Sequence, residues 1–219
     1  MEDSVLIVGA RGFAKEVLEC LYGENKYAGK IYFYDDVNDE VRGKVYGQFD
    51  ILKNLDEVNS ILGTSFQYTI GVGNPIFRKV LIEKFDRIGG ELISIVSSLA
   101  KIGSFDTTFG LGANIMAGTI LTNSIKVGKA PLINLNCTIG HDCNIGDYLE
   151  MSPGVHISGN CTLGSFVNIG TNATVLPKIR IGNNVIIGAN SVVTKDVSDN
   201  CLVVGVPAKV IKELEPLKI

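Results

Sequence analysis

His141 and Asp142 are the one adjacent pair in this sequence whose chemistry suits proton transfer. The chain has only 2 histidines in 219 residues, so acid–base work at neutral pH has few places to reside. A neutral imidazole near pH 7 accepts a proton, and a neighbouring carboxylate can fix its tautomer and stabilise the imidazolium. A histidine at a loop corner is also an ordinary surface residue, and the lone His156 reads that way. The 5 cysteines form no C-x-x-C pair and show no zinc-ligand spacing. They read as small core fillers in a reducing cytoplasm. The expected chemistry therefore needs neither a metal nor a thiol nucleophile.

The element that must position His141 is written in a six-residue period. Read from Ile115, an aliphatic residue recurs at Leu121, Val127, Ile133, Ile139, Ile145, Met151, Ile157, Leu163, Ile169, Val175, Ile181, Ile187 and Val193. This period fits neither one amphipathic helix nor one long alternating strand. It fits short strands joined by tight turns and wound into a solenoid with the aliphatic row inside. A second row, two residues earlier, includes Cys137, Cys143, Leu149, Val155, Cys161 and Val167. Alternate strand residues share a face, so this row points inward too. Three six-residue faces would make one triangular turn and stack residues eighteen apart, Cys143 over Cys161 among them. The position after each aliphatic residue is often Gly, Asn or Ser, which we read as a corner needing an unusual backbone conformation. His141 follows such a corner, Gly140, so its ring should face outward.

The first 97 residues read differently. The apolar run Val5–Val8 ends in Gly9-Ala10-Arg11-Gly12, and an amphipathic helix is expected from Phe13 to about Tyr22. Strand, glycine turn and helix together aim backbone N–H groups at a phosphate. A strand over Ile31–Tyr34 ends in Asp35-Asp36, where a carboxylate could hold a ribose hydroxyl. A third strand ends in Gly71-Val72-Gly73-Asn74, opening a helix from Pro75 to about Arg87, and a strand is expected over Leu92–Val96. Gly9-x-x-Gly12 lacks the middle glycine of the dinucleotide fingerprint, so alone it could be structural. Three strand ends along one sheet edge favour a nucleotide-like ligand. The expectation is a small parallel α/β domain over 1–97, then an all-β parallel β-helix domain over 98–219 that ends in a short C-terminal tail.

Composition narrows the partners. A formal net charge of -3 gives no reason to expect nucleic acid. Hydrophobic residues make up 46% of the chain, ample for a core, yet no apolar run reaches membrane-spanning length. No basic leader precedes Val5, so a cytoplasmic protein is expected.

With these motifs in view, the chain resembles a bacterial family of sugar acetyltransferases. This is the sialic-acid O-acetyltransferase-like group, which includes the UDP-4-amino-sugar N-acetyltransferases. The resemblance rests on Gly9-Ala-Arg-Gly-Phe-Ala-Lys-Glu-Val17, Tyr34-Asp-Asp36, Gly71-Val-Gly-Asn74, Ile139-Gly-His-Asp142 and Gly205-Val-Pro-Ala-Lys209, in the family's order and spacing. It implies a left-handed β-helix that trimerises, with acetyl-CoA between neighbouring β-helices and no metal. It implies His141 as catalytic base with Asp142 beside it, and Asn134 near the acceptor. It places nucleotide-sugar contacts on Arg11, Gly12, Phe13, Asp35, Asp36 and Gly73. Backbone groups at Gly159, Thr171 and Ala189 align with acetyl-CoA contacts. Family members often carry a second histidine nine residues after the base, also touching acetyl-CoA; here that position is Glu150.

The leading expectation is acetyl transfer from acetyl-CoA to an amine of a nucleotide-activated amino sugar. A sialic-acid-type sugar O-acetyltransferase is the near alternative. A catalytically inactive trimeric nucleotide-sugar-binding scaffold is the non-enzyme reading, kept open by Glu150. A zinc carbonic anhydrase on the same β-helix would need three histidine ligands, one more than the chain has. An NAD-binding front domain is disfavoured by the incomplete glycine fingerprint.

Overall fold

The computed structural model describes residues 4–23 and 29–218. They divide into two compact units, one formed by the chain up to Gly73 with Phe77–Ile95, the other by Asn74–Ile76 with the chain from Val96 onward.

The first unit is a six-stranded sheet with helices. In chain order its elements are β1 (Ser4–Val8), α1 (Gly12–Leu18), β2 (Lys30–Tyr34), β3 (Lys44–Val45), β4 (Phe49–Leu52), α2 (Leu55–Leu62), β5 (Phe66–Ile70), α3 (Pro75–Asp86) and β6 (Gly90–Leu92). The sheet order is β3-β4-β2-β1-β5-β6. All pairings are parallel except the β3/β4 hairpin. Central β1 has Val5, Leu6, Ile7 and Val8 all buried, which is why it reads as an unbroken apolar run.

Three details differ from the sequence reading. The first helix ends at Leu18 and continues as a π-helical turn over Glu19–Gly23. The strand expected over Leu92–Val96 is split: Gly90–Leu92 joins the α/β sheet, whereas Ile95–Val96 joins a sheet of the second unit. The β3/β4 hairpin and α2 had not been read at all. The signal for α2 was present in Asn54-x-x-Glu57. Asn54 Oδ1 accepts from the Glu57 N–H at 2.8 Å, and Asn54 Nδ2 donates to Glu57 Oε1 at 2.8 Å.

The second unit is a parallel β-helix of two-residue strands, followed by two longer strands, Cys201–Gly205 and Ala208–Glu213, that pair antiparallel. Between Thr108 and Val193 each strand pairs with the one eighteen residues later, as in Ile120↔Thr138↔His156↔Thr174↔Val192. Three faces result, carrying respectively Leu132, Glu150 and Asn168; Thr138, His156 and Thr174; and Lys126, Asn144 and Thr162. Every member of the aliphatic series from Ile115 to Val193 is buried, as is the second row from Cys137 to Ser191. Burying one such aliphatic side chain stabilises the fold by roughly 1.5–3 kcal/mol. Truncating one to Ala would cost about 2–5 kcal/mol.

The turn chemistry is shifted from the expected position. Left-handed backbone falls three residues after each inward aliphatic from Ile115 to Ile187, at Ser124 (φ 57°), Asn136 (56°), Asp142 (59°), Tyr148 (57°), Asn160 (61°) and onward every six residues to Asn190. Asn and Asp tolerate this region better than other side chains, which explains their recurrence. The glycines one residue after the aliphatic serve a different purpose. A Cβ at Gly140 would lie 2.6 Å from the backbone N of Gly159 on the next coil. Those glycines let coils stack; the turn itself is made elsewhere.

Candidate active site

His141 sits at the corner between the His156 face and the Asn144 face, flanked by Gly140 and left-handed Asp142. Its side chain is 63% exposed. Nδ1 lies 2.6 Å from Oδ2 of Asp142. An ionised carboxylate only accepts, so Nδ1 carries the proton and Nε2 keeps a lone pair. On the next coil, directly below, lies Gly159. The Asn160 N–H donates to the His141 carbonyl at 2.8 Å, locking the two corners together.

Cys143 and Cys161 stack just inside this corner, and both are buried. The Cys143 Sγ donates to the Ser158 carbonyl at 3.3 Å and the Cys161 Sγ to the Leu176 carbonyl at 3.2 Å. The hydrogen bond with Cys161, and then burial, push the Cys143 thiol well above its ordinary value. Burial likewise pushes Cys137 up to about 11. Raised, buried thiols such as Cys143 and Cys137 are poor nucleophiles; the hydrogen bond with Cys143 instead lowers the Cys161 thiol to about 7, and it is burial in the core that keeps Cys161 from substrate.

The three corners differ in how they treat their outward N–H groups. At the corner between the Asn144 and Glu150 faces, side chains close a ladder. Lys129 N donates to Asp147 Oδ1 (2.7 Å), Asp147 N to Ser165 Oγ (3.0 Å), Ser165 N to Asn183 Oδ1 (2.8 Å) and Asn183 N to Asp199 Oδ1 (2.7 Å). The His141 corner has no such ladder below His141, nor does the corner carrying Thr171 and Ala189. Among the described residues, the N–H groups of His141, Gly159, Thr171 and Ala189 donate to no protein acceptor. Exposed N–H groups of this kind suit a ligand rich in carbonyl oxygens.

In the α/β unit, adjacent strands β2, β1 and β5 bring Asp35/Asp36, Gly9/Gly12 and Gly73 to one sheet edge. Asp35 is buried, and its carboxylate accepts from the Asn38 N–H (2.9 Å), the Val37 N–H (3.3 Å) and Asn38 Nδ2 (2.9 and 3.0 Å). It shapes the loop and has little capacity left for a ligand. Asp36 Oδ2 accepts from Lys84 Nζ at 2.6 Å and from the Tyr34 hydroxyl at 2.9 Å. Burial raises the Asp36 pKa, but the hydrogen bonds from Lys84 and Tyr34 outweigh it and hold the carboxyl below its usual range. Beside the glycine turn lies a cleft of about 350 Å³, lined by Arg11, Gly12, Lys15, Glu40, Arg42, Lys44 and Tyr46 among others. Arg11 pairs with Glu40, and Lys44 with Asp50 at 3.2 Å. Among the described residues no group of three or more His, Cys, Asp or Glu side chains could hold a metal ion.

Comparison with known proteins agrees with both units. The family described as "PglD N-terminal domain" matches residues 4–85, and "Bacterial transferase hexapeptide (six repeats)" matches residues 160–195. GDP-perosamine N-acetyltransferase of Escherichia coli O157:H7 is 27% identical over 157 residues, 70% of this chain and 69% of the relative. The acetyltransferase domain of PglB from Neisseria gonorrhoeae FA1090, solved in complex with acetyl coenzyme A, superposes with a TM-score of 0.86 at 29% identity, covering 96% of this chain and 100% of that one. PerB from Caulobacter crescentus, solved with CoA and GDP-perosamine, gives a TM-score of 0.83 at 27% identity, covering 95% and 97%. Both units are thus similar to those of hexapeptide-repeat sugar acetyltransferases.

Within this family framework the expected site residues fall into separate groups. His141, Asp142 and Gly159 share one corner. Asn134, Thr171 and Ala189 lie on another, where Asn134 Oδ1 accepts from the Leu135 N–H at 2.7 Å. Glu150 is on the face opposite the His141 corner, with Asn168 Nδ2 donating to its Oε2 at 2.9 Å. Arg11 and Gly12 line the cleft of the α/β unit; Phe13 is the second residue of α1. Gly73 offers its carbonyl to the buried Arg78. Sequence reasoning missed Lys15, Arg42, Lys84 and Arg78: the fold alone brings Lys15 and Arg42 to one cleft, Lys84 reaches Asp36 from α3, and Arg78 is notable for its burial. His156 is exposed, with Nδ1 2.9 Å from Thr138 Oγ1, and takes no part in the His141 corner.

Proposed function

We propose that the chain transfers the acetyl group of acetyl-CoA to the amine of a nucleotide-activated amino sugar, with His141 as general base. The observation that carries this reading is the exposed imidazole held through Nδ1 by Asp142 at 2.6 Å, with Nε2 free to accept a proton. The relatives support the substrates: one is named a GDP-perosamine N-acetyltransferase, and others were solved with acetyl coenzyme A or with CoA and GDP-perosamine.

In the proposed step the amine nitrogen attacks the thioester carbonyl carbon while Nε2 of His141 removes its proton. Asp142 stabilises the imidazolium that forms. The uncapped N–H groups at this corner, Gly159 foremost, are placed to meet the oxyanion. The C–S bond then breaks, and the imidazolium returns its proton to the leaving thiolate. No covalent acyl-enzyme is involved. The bare N–H groups of Thr171 and Ala189 suit the amide carbonyls of the CoA arm. They lie on a different corner from His141, and Glu150 lies on the opposite face. A site using all of them draws on two chains, so the reading includes a homotrimer with acetyl-CoA between neighbours. The nucleotide is assigned to the cleft beside Gly12, where Lys15 and Arg42 face the diphosphate.

The test is a transfer assay with purified protein, acetyl-CoA and a panel of UDP-, GDP- and dTDP-linked amino sugars alongside their hydroxyl counterparts. Acetylation of an amino sugar is expected. Transfer to hydroxyl acceptors alone would replace this reading with O-acetylation, and no transfer would leave the inactive scaffold.

A further inference from the structure

We infer that Gly159 is a positioning residue for the base, and that what matters is its missing side chain as well as its backbone. The inference rests on His141 being the base. The imidazole of His141 lies over the Gly159 Cα. A Cβ built there would stand 2.7 Å from Nε2, 2.9 Å from Cε1 and 3.1 Å from Cδ2, so its three nearest neighbours are all atoms of that ring. The ring cannot retreat freely, because Nδ1 is tied to Asp142 at 2.6 Å. The imidazole is held on two sides, by the Asp142 carboxylate and by the bare glycine on the next coil.

The backbone does not require glycine at this position. Gly159 is outside the left-handed region, in contrast to Gly154 at φ +71° five residues before it. Alanine at 159 would therefore be free of backbone strain, and its three closest contacts would all be with the ring it displaces. At the corresponding position of the laddered corner the stacked residues are Asp147, Ser165 and Asn183, whose side chains cap the N–H one coil above. A side chain of that kind at 159 would both cap the His141 N–H and occupy the ring's seat. Glycine keeps the two open at once.

The experiment uses full-length Gly159→Ala. In ligand-free protein, NMR of the ring nitrogens should show the His141 resonances shifted and the Nδ1 hydrogen bond to Asp142 weakened, with the melting temperature within a few degrees of wild type. With acetyl-CoA and the panel sugar turned over fastest by wild type, kcat should fall by about 10²-fold, since a base misplaced by about 1 Å loses that much. In a His141→Ala background there is no ring to displace, so adding Gly159→Ala should cost less than about threefold. Unchanged ring resonances would overturn the inference. So would a comparable further loss in the His141→Ala background, which would place the effect on the backbone N–H. If His141→Ala itself leaves kcat intact, the base assignment fails, and the NMR result alone decides whether Gly159 seats the ring.

Discussion

Asp142 reaches Nδ1 of His141 because it occupies the left-handed corner position, φ 59°, that recurs every six residues through the β-helix. The turn that closes the coil is also the turn that delivers the carboxylate. At the equivalent positions Asn136 and Asn160 make the same turn without a neighbouring imidazole. The acid–base pair is thus an ordinary corner of the repeat with His in the place before it. Asp142→Asn keeps the backbone preference while weakening the hold on the ring. It should lower kcat by roughly tenfold, about 1.4 kcal/mol. A loss equal to that of His141→Ala would instead give Asp142 a direct part in proton transfer.

The separation of Glu150, Thr171 and Ala189 from the His141 corner predicts an oligomer. Light scattering should return three copies of the 23.5 kDa chain. A stable monomer that still turns over substrate would remove the two-chain site.

The stacked thiols supply a contrast between stability and turnover. Cys143→Ala or Cys161→Ala opens a small void inside the core and should cost about 1 kcal/mol. Thermal denaturation would register this as a drop of about 2–4 °C. Turnover below the transition should stay within about threefold of wild type. A cysteine variant that folds normally and loses catalysis would call for an acyl-enzyme.

The Asp36–Lys84 pair makes stability depend on pH in a definite direction. Asp36 is held below its usual carboxylate range, so its contribution is present above that range and is lost as pH falls through the lowered value. Lys84 is lowered by burial but raised more by Asp36 and Tyr34, so its contribution is lost only in strongly alkaline solution. Wild type should lose stability between about pH 5 and pH 2 more steeply than Asp36→Asn. Parallel curves for the two proteins would show that the pair is energetically idle.

Nucleotide binding tests the cleft beside Gly12. Titration with UDP, GDP and dTDP should find one preferred nucleotide, and Lys15→Ala or Arg42→Ala should weaken it by about tenfold each, with the weakening reduced at high salt. Asp36→Ala should also weaken binding, because both of its side-chain hydrogen bonds fall on Oδ2 and Oδ1 remains for a ribose hydroxyl. No binding by any nucleotide would remove the nucleotide from this cleft.

The β-helix was legible in the sequence because its core repeats: one aliphatic residue per face, three per eighteen-residue coil, all found buried. The position of the turn was not, because glycine after the aliphatic residue and asparagine three residues after it both look like corner residues. Only the structure separates close coil packing at Gly140 from left-handed backbone at Asp142. The outward direction of His141 followed from its distance to Ile139. Its seat on Gly159 did not, since that contact joins two coils and depends on the absence of an atom. In the α/β unit the apolar strands announced themselves, but Asp35 and Asp36 looked equivalent. Their difference, one carboxylate folded into its own loop and the other paired with Lys84, arises from partners as distant as α3.

The central claim is that Nε2 of His141 takes the proton from the acceptor amine. Steady-state kinetics of His141→Ala, with acetyl-CoA and the preferred nucleotide amino sugar, tests it most directly. The account predicts a fall in kcat of about 10²–10⁴-fold. Affinity for acetyl-CoA, measured separately by equilibrium titration, should be nearly unchanged. A His141→Ala enzyme that retains wild-type kcat would contradict it.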